Sequence, residues 1–262
     1  MIEILRVMPN NLLTLTLILY FIFITPTKVF SASSDAELME QKWPFSGVFG
    51  RFDESSLQRG FQVYREVCSA CHGIRHVSYR DLKGIGYSND EIKVIAADYE
   101  VRDGPDDNGE MFDREGRPSD KFVGPYENDK IARLANNGAY PPDLSLIVKA
   151  RAGGADYIYS LLNGYKEFPE NFEASDGMYY NEYYPGNQIA MPSILMDDIV
   201  EYSDGTEATQ SQIAKDVTSF LAWTAEPELE ERKSLGVKTL FFLVLITIML
   251  LGVKRKVWKD VE

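Results

Sequence analysis

The chain has two cysteines, and both stand in one five-residue word, Cys68-Ser69-Ala70-Cys71-His72. Two thiols three positions apart can add to the two vinyl groups of one porphyrin, while the next residue offers an imidazole to the iron. The word therefore reads as the attachment site of a c-type haem. Two other uses of such a pair fit less well. A structural zinc site wants four ligands, whereas the sequence holds no third Cys and only one other His, His76. A thioredoxin-like dithiol belongs beside a βαβ pattern, and none is visible here.

His72 can fill only one axial position, so the opposite face of the iron needs a second donor or stays open. His76 follows four residues later, too close along the chain to swing round the porphyrin. Of the eight methionines, Met1 and Met8 fall in the N-terminal leader and Met249 in a long apolar stretch, leaving Met39, Met111, Met178, Met191 and Met196. Met191 ranks first because Pro192 biases it away from helix and stiffens its loop. Met178 ranks second, and a core methionine beside a turn would look the same as either. Ligation by His and Met fills both positions and suits electron transfer rather than oxygen or peroxide chemistry.

The elements that must position these groups can be read from periodicity and punctuation. Glu54-Ser55-Ser56 caps a helix in which Leu57, Phe61, Tyr64 and Cys68 share one face, delivering the haem word at its C-terminal end. Further helices are expected at 89–101, 129–137, 144–151, 155–163 and 210–223. Residues 103–120 read as a long exposed loop, of a length that suggests contact with another subunit. The Asp204-Gly205 turn predicts a small hairpin over 199–209.

Two apolar stretches flank this body. Residues 12–24 follow Arg6 and have the length of a signal-peptide core, with cleavage expected near Val29-Phe30-Ser31-Ala32; an uncleaved anchor is the competing reading. Residues 235–253 are long enough to cross a bilayer, at about 1.5 Å per residue against a core of ~30 Å. Lys254, Arg255, Lys256 and Lys259 follow this stretch and Glu226, Glu228, Glu230 and Glu231 precede it, so the positive-inside rule puts the C-terminus on the cytoplasmic or matrix side and the bulk of the chain outside. The expected organisation is a signal peptide over 1–32, an exported haem domain over 33–232, an anchor over 233–254 and a tail over 255–262. The fold class expected is mainly α: a cytochrome c-like domain with long loop insertions, a small hairpin and one C-terminal transmembrane helix.

Forty acidic residues against 27 basic ones give a formal charge of −13. Nucleic acid is excluded as a partner for so acidic a surface. Single acidic runs are ordinarily solvated faces, although one of them could steer a basic electron-transfer partner.

The ordered set of motifs resembles the cytochrome c1 family, the haem subunit of the ubiquinol:cytochrome c oxidoreductase, or cytochrome bc1 complex, in its bacterial type. The resemblance rests on the haem word, on the run from Ala135 to Ser145 with its Pro141-Pro142-Asp143, on Ala150-Arg151-Ala152-Gly153-Gly154-Ala155-Asp156-Tyr157, on Asn187-Gln188-Ile189-Ala190-Met191, and on the stretch from Asp204 to Glu228. It implies one covalent haem c on Cys68 and Cys71 with His72 and Met191 as axial ligands, and it places Arg151 and Tyr157 against a haem propionate, with Pro141 and Pro142 walling the pocket. It also implies one-electron relay from an iron–sulfur subunit to a soluble or tethered cytochrome c, beside cytochrome b, in a bacterial inner membrane with the haem domain on the periplasmic side. Quinol oxidation would belong to other subunits. A membrane-anchored cytochrome serving a terminal oxidase, and a haem enzyme with an open iron site, are the alternatives.

Overall fold

The computed structural model describes residues 36–259, so the expected signal peptide at 1–32 lies outside the described residues. Helix α1 (Glu54–Glu66) starts at an Asp53 N-cap whose carboxylate accepts the Ser56 amide, satisfying one of the orphan donors of the first turn. Helix α2 (Asn89–Ala97) opens with a capping box in which Ser88 and Glu91 bond reciprocally. Next come strands β1 (Glu100–Asp103) and β2 (Phe112–Glu115), helices α3 (Asp129–Ala135) and α4 (Gly154–Asn163), and strands β3 (Tyr179–Tyr180) and β4 (Gln188–Ile189). Helix α5 (Gln210–Ala225) is followed by α6 (Leu229–Val257), which is long and apolar enough to cross a membrane. Each pair of strands forms its own antiparallel ribbon.

The main packing is α1 across α5, with α4 also resting on α5. The crossing is close because Gly60 has no side chain: a Cβ there would lie 2.1 Å from the Asp216 carbonyl oxygen. Around it Phe61, Tyr64, Phe220 and Trp223 are fully buried, with ring centroids of Phe61 and Phe220 5.5 Å apart. Each such ring contributes about 1.5–3 kcal/mol by leaving water. Beside the crossing, Asp216 is wholly buried and fully bonded. It accepts from Ser56 Oγ at 2.6 Å, from Arg59 Nε and Nη2 at 2.8 and 3.0 Å, and from Gln212 at 2.9 Å. The charge of Asp216 sits between the two helices, paired on the α1 side.

Four local expectations are corrected. The helix expected over 89–101 stops at Ala97, and part of the expected loop 103–120 is the β1–β2 ribbon. The acidic residues there make turns: the Asp106 carboxylate accepts the Asn108 and Glu110 amides, while Arg114 bonds both Asp103 and Asp120. The expected helix 144–151 is a series of turns, because Leu144 N donates to Gly73 O and Ser145 N to the Asp143 side chain, long-range and local bonds that replace a helical ladder. The region 199–209 has its Asp204-Gly205 turn, with Gly205 N on Tyr202 O, but no paired strands; its Asp204 is instead drawn to Arg59 at 2.7 Å.

Candidate haem site

Helix α1 ends at Glu66 and the chain tightens at once into a 3-10 turn over Cys68–Ala70. Both Cys71 N and His72 N donate to the Cys68 carbonyl, at 3.1 and 2.9 Å, so the haem word is one compact turn on the end of a core helix. Cys68 is buried and Cys71 half-buried. Burial, and to a lesser degree the neighbouring Cys71, pushes the Cys68 thiol up to about 12, which holds it as a neutral thiol among apolar neighbours.

The His72 ring shows which of its nitrogens is available. Nδ1 lies 2.7 Å from the Pro142 carbonyl oxygen. A carbonyl can only accept, so Nδ1 carries the proton and Nε2 keeps its lone pair, as a metal-bound imidazole requires. Burial lowers the His72 pKa and outweighs the opposing pull of Pro142 and Asp143, keeping the ring neutral. These residues fit a haem iron on this side.

A second strip of chain is fastened along the first. Leu144 N donates to Gly73 O at 2.8 Å, Arg75 N to the Asp143 carboxylate at 2.9 Å, and His76 N to Ser145 Oγ at 3.0 Å. Tyr64 reaches from α1 to donate to the His72 carbonyl at 3.1 Å, and Thr224 from α5 donates to Ser145 O at 3.2 Å. Burial alone would raise the Asp143 carboxyl, but bonds from Ser145 and Arg75 outweigh it and the pKa falls below the ordinary carboxylate value. Pro142 thus acts through its carbonyl rather than as an apolar wall alone.

Met191 lies at the end of the β3–β4 ribbon, two residues after Ile189. Asn187 turns the chain there in the left-handed region at φ 58°, and its side chain donates to Glu182 O at 3.0 Å. The Met191 carbonyl accepts the Tyr165 hydroxyl at 3.0 Å. Of the five candidate methionines Met191 alone is half-buried; Met39, Met111, Met178 and Met196 are exposed, by 37% at the least. Burial thus separates Met191 from Met178 in the same order as Pro192 ranks them.

Arg151 is exposed, and among the described residues its guanidinium bonds only the Ala150 carbonyl, at 3.1 Å. It has no carboxylate partner and is free to take one. Tyr157 is buried on the first turns of α4; burial raises its pKa while the charge of Arg151 opposes the rise, so the two residues share a neighbourhood. Tyr157 also lies near enough to Tyr165 to influence its ionisation. Arg151, Tyr157, Tyr165 and Met191 therefore form one connected group, while Cys68, Cys71 and His72 form another with the strip 142–145. Sequence reasoning assigns no site role to Tyr64, Arg75, Asp143 or Tyr165, although Tyr64 falls on the apolar helix face and Asp143 in the Pro141-Pro142-Asp143 motif. Only Asp143, two residues before Ser145, carried a local signal of its bonding, that of an Asx turn.

The family model described as the Cytochrome C1 family matches residues 43–261. The chain is 50% identical over 241 residues to cytochrome c1 of Rhodospirillum rubrum, covering 86% of this chain and 89% of the relative. It is 48% identical over 236 residues to a mitochondrial cytochrome c1 haem protein of Arabidopsis thaliana, covering 90% and 77%. It is 51% identical over 221 residues to the mitochondrial cytochrome c1 haem protein of Saccharomyces cerevisiae, covering 84% and 72%. The haem word, the strip that braces it and the Met191 ribbon all lie within the matched residues. This chain belongs to the cytochrome c1 family, whose members carry a covalently bound haem c.

Proposed function

We propose that Cys68 and Cys71 attach the haem, that His72 and Met191 ligate its iron, and that Arg151 and Tyr157 bind a propionate. The chain is a membrane-anchored electron-transfer haem subunit of the bc1 complex. It takes single electrons from the iron–sulfur subunit and passes them to a c-type cytochrome, alongside cytochrome b, with its haem domain on the periplasmic side of a bacterial inner membrane. The haem, when bound, supplies a one-electron Fe(III)/Fe(II) couple.

This chain's residues hold that couple in place. His72 offers Nε2 along a direction set by the Pro142 carbonyl. Met191 is offered from a short ribbon end whose main chain is tied to Tyr165. Arg151 balances a carboxylate at the edge, where a planar guanidinium can pair bidentately. Tyr64, fully buried in the α1–α5 crossing, ties the His72 turn to the core. His72 and Met191 together would hold the iron on both sides and leave no position for oxygen or peroxide, which favours relay over catalysis at the iron.

The His72 Nδ1–Pro142 bond is the observation that carries this reading. The test is Met191→Leu in the purified complex, followed by haemochrome quantitation and redox titration. The haem should remain covalently bound, and the midpoint potential should fall by an amount on the order of 100 mV or more, within the ~0.8 V that axial ligands span. A wild-type potential would mean that another residue ligates the iron.

A further inference from the structure

The residues just before the anchor helix hold a rigid loop whose tip has no explanation in the haem domain. Lys233 Nζ, in the second turn of α6, donates to the carbonyls of Phe45 and Gly50 at 2.6 and 3.1 Å. One turn earlier, Glu230 accepts the Phe52 amide at 2.9 Å. Within the loop, Arg51 N donates to Pro44 O and Ser46 N to Trp43 O, and a Cβ on Gly50 would fall 1.9 Å from Ser46 O. The base is further clamped by stacked rings, Trp43 on Phe45 at 5.5 Å and Phe45 on Phe52 at 5.0 Å. The tip cannot collapse, yet it presents Val48 and Phe49 at 63% and 82% exposure.

The order of these contacts along α6 gives a direction. Phe52 is tied at Glu230 and Gly50 at Lys233, three residues or about 4.5 Å further toward the apolar run. The apolar run begins at Leu235, two residues beyond Lys233. The chain therefore runs toward the apolar stretch from 52 to 50, and residues 46–49 loop out between the Phe45 and Gly50 carbonyls, both tied at Lys233. Arg51, 81% exposed at its side chain, follows that loop. An aromatic and a branched aliphatic residue next to an exposed guanidinium, held among the described residues only by a 4.0 Å ion pair with Glu230, match the chemistry of the lipid interface, where rings sit at headgroup level and cations meet phosphates.

We propose that Val48 and Phe49 form a second membrane contact, inserting into the headgroup boundary beside α6 and fixing the tilt of the haem domain over the bilayer. The inference rests on α6 being the membrane anchor. A single helix lets a domain swivel; a second contact point a few residues away removes that freedom.

The test uses the assembled complex in its native membrane, with a benzophenone analogue of phenylalanine placed at position 49 or, as a control, at Leu134, which is 85% exposed but on α3. After irradiation, phospholipid-mass adducts are expected from position 49 and not from position 134, with the haem spectrum unchanged. Adducts to a protein subunit from position 49, or no adduct, would overturn the proposal. If the probe at 49 abolished haem incorporation, the same measurement at Val48 decides. Carbonate extraction reports the anchor separately: a chain that stays in the membrane but gives no lipid adduct sinks the loop contact alone, whereas a chain that is extracted sinks both.

Discussion

His72 and Met191 both accept a tyrosine hydroxyl at the main chain, but among the described residues only His72 of the two is also bonded at its side chain, where Pro142 meets the ring. Pro142 O fixes the His72 imidazole, so the direction of its donor nitrogen is built into the protein. Tyr165 fixes only the carbonyl of Met191, leaving the thioether with its own torsions. The proximal side is also braced twice over, by Tyr64 from α1 and by the strip 142–145, whereas the distal side hangs on a ribbon of two residue pairs. The proximal ligand is thus an extension of the core, and the distal ligand is a loop residue steered by its backbone. Damage to the proximal support should appear as lost stability, and damage to the distal support as altered ligation.

Asp216→Ala is the largest test of the proximal half. It leaves the Arg59 guanidinium partly buried beside the α1–α5 crossing with only Asp204 as a charged partner. Removing one member of a buried pair costs about 3–5 kcal/mol, or an apparent melting temperature lower by roughly 10 °C for a domain of this size. The haem should stay attached and its potential should stay close to wild type. A potential shift as large as that of Met191→Leu would erase the distinction between core support and ligand tuning.

The same contrast explains what was legible in the sequence. The haem word is contiguous, so its chemistry could be read without a fold. Helices α1, α2, α3 and α5 announce themselves through caps and apolar spacing, as with Ser88 and Glu91. Within the strip 142–145, Leu144 and Ser145 read as the start of the expected helix 144–151, whereas the strip's bonds run to Gly73, Arg75 and His76, and local periodicity carries no trace of them. Pro142 contributes a carbonyl, which every residue has, so its role leaves no mark on the sequence. Met191 is ranked above Met178 through Pro192, and burial adds a second, independent difference between them. The Asp204-Gly205 signal marked a true turn; the ion pair with Arg59, remote in sequence, decided what flanks it.

A smaller effect is expected from acid at the strip itself. The folded pKa of Asp143 lies below its unfolded value, so its stabilisation is fully present above an unfolded pKa of about 3.9 and is lost as pH falls through the folded value. Asp143→Asn should therefore cost about 1 kcal/mol near neutrality, and the difference from the parent should shrink as pH drops below that unfolded value. Thermal melts at several pH values measure this. A penalty that persisted undiminished in acid would show that the carboxylate charge is not what holds the strip.

The finest test compares two hydroxyls. Tyr64 donates to His72 O at 3.1 Å and Tyr165 to Met191 O at 3.0 Å, so each Tyr→Phe change removes one neutral hydrogen bond to a ligand's main chain. Each bond is worth about 1 kcal/mol. In Tyr165→Phe that loss falls on the loop that carries the proposed thioether ligand, and carbon monoxide, which on this proposal displaces Met191 to bind reduced iron, should bind faster by roughly fivefold. In Tyr64→Phe the loss falls on a turn already fixed by the Cys68 carbonyl and the Pro142 bond, so carbon monoxide binding should not change and only the melting temperature should fall. Equal acceleration in both variants would show that the two faces are steered alike, and that the ring-bound and backbone-bound ligands do not differ in mobility.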